Sequence, residues 1–338
     1  MNTTIENHVA PGRTSATRTI SAGQRFGWLL RREFWENRGG FLWAPVIAGG
    51  ITLVFTALAA IGASLFSSRS GNRIQIDESA APEQIAQTLG AAGDVALLLG
   101  ISISMVVLGF VVFFYALGSL HDDRRDRSIL FWKSMPISDA ATVGSKVAWA
   151  LLLAPLLATA VGILIGLALW VVTALTTTVN GVPGTTGLLT ASHPFRITGS
   201  VLALLPLYAL WALPTVGWLM LCSAAARSKP FLWALIVPIV GCALASMISA
   251  IVGLNLNHGA LWYAVANRGL LSVFPGSWLP TAHGMGGVSI HGPEDIPQLI
   301  NPVQSWQVAG TLDLWLGVAA GIAMILLAIR LRRWREEG

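Results

Sequence analysis

Six stretches of the chain are almost wholly apolar: 43–66, 95–120, 147–176, 199–226, 231–253 and 308–329. Each reaches the roughly 20 residues that a helix needs to cross a hydrocarbon core of about 30 Å. The pattern therefore predicts six helical spans and an all-α polytopic membrane protein. Ahead of the first run, Phe26, Leu29, Leu30 and Phe34 recur at helical spacing, with Arg25, Arg32 and Glu36 largely elsewhere on the wheel. This predicts an amphipathic helix over 22–40 that lies on the membrane surface and ends at Gly39 and Gly40. Residues 1–21 are polar, rich in Thr and Ser, and without apolar period, so a disordered tail is expected there.

The connections differ in character. Segment 67–93 is hydrophilic, and a short helix is expected from Pro82 to Leu89, closed by Gly90. Segment 177–198 is rich in Gly, Thr and Pro and reads as irregular. The longest connection, 254–307, holds an apolar stretch of about 16 residues, roughly 24 Å as a helix. Asn267 and Arg268 interrupt that stretch, and Pro275 and Gly276 close it. It is short for a span, so a re-entrant helical segment before the last span is expected, buried against other helices that satisfy its backbone.

Composition agrees with this reading. Hydrophobic residues make up 54% of the chain and charged residues only 11%, against about a quarter charged in soluble proteins. Charge also orients the spans. Seventeen of the 21 Lys and Arg fall on one side. They are Arg13 to Arg38 before the first span, Arg124 to Lys146 in the second connection, Arg227 and Lys229 in a tight turn, and Arg330 to Arg335 at the end. Cation-rich short loops face the cytoplasm, so both termini are expected there, the C-terminal piece being 331–338. Anionic inner-leaflet lipid is then the natural counterion of the net +5. The cations are scattered over four segments, which argues against nucleic acid as a partner. Trp43, Trp149, Trp170, Trp233 and Trp306 lie at or near predicted span ends, as indoles at the headgroup level do.

Candidate chemistry is sparse. The chain has no GxxxxGK[ST] loop and only three lysines, Lys133, Lys146 and Lys229, so it is not expected to hydrolyse nucleotide by itself. His258, His283 and His291 are irregularly spaced among Gly and Pro, which favours structural or solvated roles over a metal site. No nucleophile within the spans has a His or Lys base beside it, so no catalytic residue is expected. Asp94 and Asp313 are the acids closest to the spans, both at their external ends, which argues against an ion-coupled carrier. Pro155, Pro206, Pro214 and Pro238 can kink the third to fifth spans, and the pairs Gly162 with Gly166 and Gly317 with Gly321 permit close helix contact.

The segment that stands out is the connection 121–146. It opens with His121-Asp-Asp-Arg-Arg-Asp-Arg, then gathers Ile129, Leu130, Phe131, Trp132 and Met135 before Pro136. An apolar aromatic cluster bounded by Arg and Asp in a loop facing water is either a partner-binding anchor or a hairpin resting on the membrane. Pro136 stops any helix, and Ser138 or Asp139 can cap the next.

Together with the six spans, the N-terminal helix Trp28-Leu-Leu-Arg-Arg-Glu-Phe-Trp-Glu36 and the last long connection, the motif 122–139 resembles bacterial permeases of the ABC type-2 exporter family. The resemblance runs from about residue 22 onward and makes 41–330 a permease domain. It implies that Asp126, Arg127, Ser128, Ile129, Leu130, Phe131, Trp132 and Lys133 form a coupling helix docking on a separate ABC ATPase. It further implies a working unit of two ATPases and two permease subunits, identical or homologous, in the bacterial cytoplasmic membrane. ATP and Mg would be held by the ATPase, and no cofactor by this chain. The segment 254–307 would form a lid, with Phe274, Pro275 and Trp278 as gate residues. The expected cargo is an amphipathic lipid, peptide or drug-like molecule. The alternative is a membrane scaffold or sensor whose loop recruits a partner that is not an ATPase.

Overall fold

The computed structural model describes residues 21–70, 81–126, 138–253, 256–283 and 300–334. Six of its helices are long and apolar enough to cross a membrane, and among the described residues there is no strand. The chain is thus an all-α, multi-pass membrane protein.

Helix α1 (Ala22–Arg38) opens with a capping box, in which Ser21 Oγ accepts from the Gln24 N–H at 3.3 Å and Gln24 Oε1 accepts from the Ser21 N–H at 3.2 Å. Ser21 therefore belongs to the helix start rather than to the tail, and residues 1–20 lie outside the described residues. The apolar stripe of α1 is turned onto the bundle. Leu29 is buried, Phe34 stacks on Trp149 at 5.6 Å, and the Leu30 carbonyl accepts from Trp149 Nε1. Trp149 is consequently a packing residue rather than an interfacial one, while Trp28 and Trp35 on the other face of α1 are exposed. Gly39 and Gly40 do not end the helix. A kink at Asn37 (φ −112°, ψ 15°) and a π-helical turn, Gly39–Trp43, carry it into α2 (Ala44–Ser70).

At the centre lies α3 (Pro82–Arg125), 44 residues long. The helix expected to close at Gly90 runs straight through it. A Cβ there would come within 2.6 Å of the Ala191 backbone, so this glycine serves close approach rather than helix termination. After the 127–137 connection come α4 (Asp139–Ala148), a π-helical turn (Trp149–Leu153) and α5 (Ala154–Val179). Pro155 has no N–H to donate, and it lies two residues after that π-helical turn, where the regular ladder is already interrupted.

The connection expected to be irregular at 177–198 is largely helical: α5 reaches Val179, α6 covers Gly187–Thr190, and α7 spans Pro194–Ala225. A tight turn leads to α8 (Pro230–Val252), which Gly253 closes at φ 73°, the left-handed conformation that glycine adopts freely. The chain then forms α9 (His258–Trp262), a π-helical run (Tyr263–Leu271) and α10 (Leu279–His283). Last come α11 (Pro302–Trp306), a 3-10 turn (Gln307–Gly310) and α12 (Leu312–Trp334). The final span therefore starts at 312 rather than 308, and residues 331–334 are helix rather than tail.

Glycines set the closest crossings. A Cβ on Gly100 of α3 would lie 2.3 Å from the Gly166 nitrogen of α5, and one on Gly217 of α7 would lie 2.6 Å from the Gly321 carbonyl of α12. The small-residue pairs of the sequence thus work within this chain. Helices α3 and α7 run side by side in the same sense. At one end Asp94 Oδ1 accepts from the His193 N–H at 2.7 Å; at the other Ser223 Oγ accepts from the Leu120 and His121 N–H groups at 3.1 and 3.0 Å. Between those ties Leu108, Leu207, Tyr208, Trp211 and Leu314 form the dry centre.

Candidate functional site

The two roots of the 127–137 connection are built with care. Helix α3 ends at Arg125 with Asp126 as its C-cap. On the far side of the connection, Ser138 Oγ accepts from the Ala141 N–H at 3.2 Å and so caps α4. Ser138 rather than Asp139 is thus the cap. Of the predicted docking residues, Asp126 is described, while Arg127, Ser128, Ile129, Leu130, Phe131, Trp132 and Lys133 lie outside the described residues.

A chain of charges, buried except for the partly exposed Asp139, joins these roots to α1 and α12. Lys146 Nζ of α4 lies 3.1 Å from Glu33 Oε1 of α1 and 3.5 Å from Asp123 Oδ1 of α3. Asp123 Oδ2 is 3.5 Å from Arg332 Nη1 of α12, and Arg332 Nε is 3.3 Å from Asp139 Oδ1 of α4. Tyr115 donates its hydroxyl to Glu33 Oε2 at 2.7 Å. Glu33 is 0% and Lys146 3% exposed. At that degree of dryness each charge depends on its partner, and removing one of a pair costs about 3–5 kcal/mol. Beside the network, Arg124 bridges the Ser223 and Ala226 carbonyls at the end of α7, and Trp149 is held between Phe34 and Phe41. The last residues before the connection and the first after it are therefore locked to α1, α7 and α12 together.

Sequence reasoning missed this network, although one signal was available. Glu33 falls on the apolar stripe of α1, four residues after Leu29 and seven after Phe26, where an acid needs a buried cation. The identity of that cation is a tertiary fact.

A second constellation lies deeper in the bundle. Arg268 belongs to a connection in the sequence, with ionic groups expected only at span ends. The structure buries it against α7 and α12, as expected of that stretch, and pairs it there. Its guanidinium stacks on the Trp211 ring at 3.7 Å, its Nε is 3.3 Å from Asp313 Oδ1, and its Nη1 donates to the Trp211 carbonyl at 3.1 Å. Gly317 leaves the room: a Cβ there would fall on the guanidinium. Measured along α12 this position is roughly 22 Å from Arg332. Thr215 Oγ1 binds the Arg268 carbonyl at 3.2 Å and meets Ser272 Oγ at 2.7 Å. Tyr263 donates to Asp313 Oδ2 at 2.9 Å.

The predicted gate residues come together just beyond. Phe274 packs edge-on against Phe110, with ring centroids 5.0 Å apart, and occupies the space left by Gly109. Pro275 and Trp278 line an apolar cavity of about 200 Å³ with Met105 and Tyr208, and Tyr208 ties the turn down by donating to the Val273 carbonyl at 3.0 Å.

No family model, curated protein or solved structure matches this chain.

Proposed function

We propose that this chain is the membrane subunit of an ATP-driven ABC exporter of the bacterial cytoplasmic membrane, working as a dimer with two separate ATPase subunits. The observation that carries the reading is the ion-paired frame Glu33–Lys146–Asp123–Arg332–Asp139, which grips both roots of the 127–137 connection and reaches four helices. A loop meant only to rest on a membrane needs no such frame. A loop that must receive a push and pass it on does, because a force on 126–133 then moves α1, α3, α4 and α12 as one body.

In this reading both termini face the cytoplasm, and the exposed Trp28 and Trp35 of α1 lie at the inner headgroup level. The apolar residues Phe131 and Trp132 sit in a groove of the ATPase, which holds ATP and Mg. Closure of the ATPase dimer shifts the two permease bundles between inward-facing and outward-facing states; the shift requires the docked loop to bind the two states unequally. Segment 258–283 is the re-entrant lid on the external side, with Phe274, Pro275 and Trp278 at its turn and Arg268 as its anchor. This chain supplies the path and no catalytic group.

The test is to purify the tagged chain from its native host in mild detergent beside a variant carrying Phe131→Ala and Trp132→Ala. Recovery of an ATPase with the parent and its loss from the variant is the expected result. Absence of an ATPase from both, with the membrane fold intact, overturns the exporter reading in favour of a scaffold or sensor.

A further inference from the structure

A cleft of about 890 Å³ opens between the α1–α2 junction and α3. Its upper wall is aromatic: Phe110 and Phe114 are each about half exposed, over a floor of buried Phe41 and Tyr115. Its mouth is ionic and unbalanced. Among the described residues, four acids, Glu36, Asp122, Asp123 and Asp126, line it against two cations, Arg32 and Lys146. Both cations are already engaged, Arg32 with Glu36 at 2.6 Å and Lys146 with Glu33 and Asp123. Among the other charged neighbours, Arg332 faces Asp123 at 3.5 Å and His121 faces Asp122 at 3.5 Å.

The cleft exists because side chains are withheld from it. Gly39, Gly40 and Gly118 all line it, and a Cβ built on Gly39 meets nothing within 4 Å. Gly39 has ordinary helical angles, φ −59° and ψ −49°, so its backbone does not need glycine. The open space is thus not a by-product of a strained turn. From Phe110 to Asp122 the wall is roughly 18 Å along α3, close to the ~15 Å hydrocarbon half-thickness of a bilayer.

We infer that this cleft binds a cationic amphiphile, with its positive head between Asp122 and Asp126 and its apolar tail along Phe110 and Phe114. The acidic mouth repels the anionic headgroups that crowd the inner leaflet, while the aromatic wall accepts a chain or ring system. The ligand therefore stands in the orientation of an inner-leaflet lipid, head to the cytoplasm, and enters from that leaflet. Calling it a cargo site rests on the exporter reading and narrows its cargo to amphiphiles of positive charge.

The test uses tritiated dodecyltrimethylammonium, whose charge does not titrate, and the purified full chain in phosphatidylcholine nanodiscs without any ATPase. Saturable binding above that of empty discs is expected. The Asp122→Asn, Asp126→Asn double variant weakens it about tenfold, the scale of two partly exposed charge contacts. Gly39→Leu, which adds bulk at a cleft-lining position whose Cβ meets no atom within 4 Å, removes it, and dodecyl maltoside does not displace the probe. Absence of saturable binding, unchanged affinity in the Asn variant, or equal displacement by the neutral detergent overturns the proposal. Should Gly39→Leu fail to elute as the parent does, the Asn variant and the competition decide alone. None of these outcomes depends on an ATPase, so the site and the exporter reading fail separately.

Discussion

Lys146 Nζ sits 3.1 Å from Glu33 Oε1, an ion pair between residues 113 apart in the sequence and both almost completely removed from solvent. It fastens the helix that precedes the first span to the helix that leaves the 127–137 connection. Since Lys146 also faces Asp123, and Asp123 faces Arg332, the pair is the first link of a frame rather than an isolated bridge.

Breaking that link on one side should be worse than removing it whole. Glu33→Gln or Lys146→Met alone leaves a dry charge short of a partner and should cost about 3–5 kcal/mol. The double variant should cost less than the two losses added together, with a coupling of at least about 1 kcal/mol. Unfolding of the purified proteins in mixed micelles by increasing dodecyl sulfate measures this; strictly additive losses would show that the two side chains do not depend on each other.

On the exporter reading proposed above, the same frame should matter to transmission rather than to docking. In a reconstituted complex, Glu33→Gln with Lys146→Met should still bind the ATPase, because neither residue lies in 126–133. Transport driven by ATP should fall about tenfold or more while ATP hydrolysis persists, as expected when a coupling interaction worth over about 1.4 kcal/mol is lost. Paired measurement of hydrolysis and vesicle uptake separates the two, and a proportional fall in both would remove the frame from the coupling path.

Arg268 offers a different test, because its planar group is stacked as well as paired. Arg268→Lys keeps the charge near Asp313 but loses the flat contact with Trp211, and should cost about 2 kcal/mol. The loss should be local. Amide hydrogen exchange over 263–278 should quicken while α3 and α5 keep their protection; uniform quickening everywhere would mean that Arg268 supports the whole bundle and not the turn it anchors.

Glycine replacements discriminate between close crossings and open surface. Gly100→Ala puts a methyl 2.3 Å from the Gly166 backbone, where no side chain can give way, and should destabilise by more than about 2 kcal/mol. Gly62→Ala meets nothing within 4 Å in the middle of α2 and should be neutral or slightly stabilising, by up to about 1 kcal/mol. Thermal aggregation midpoints of the two variants give the comparison, and similar midpoints would refute the crossing geometry.

How far the sequence went is clearest from α1. Its periodicity marked the helix and the apolar stripe of Phe26, Leu29, Leu30 and Phe34, yet placed that stripe against lipid. A stripe that suits hydrocarbon suits a protein surface equally, and only the position of Trp149 and Lys146 distinguishes the two. The same holds for Gly90, which local rules read as a stop and packing uses as a contact. The Pro275-Gly276 closure of an apolar stretch was legible in the sequence, and Phe274, Pro275 and Trp278 were expected as a gate only through the family resemblance; nothing local told that they meet Phe110 and Tyr208.

By itself the sequence determined the six apolar helices and where the charged connection lies, because hydropathy and helical period are properties of neighbouring residues. Tertiary structure decided which charges are dry, which partners they have and which glycines bear a crossing. Those depend on residues a hundred positions apart arriving at one place, and a buried Lys146 is written no differently from an exposed one until Glu33 and Asp123 close around it.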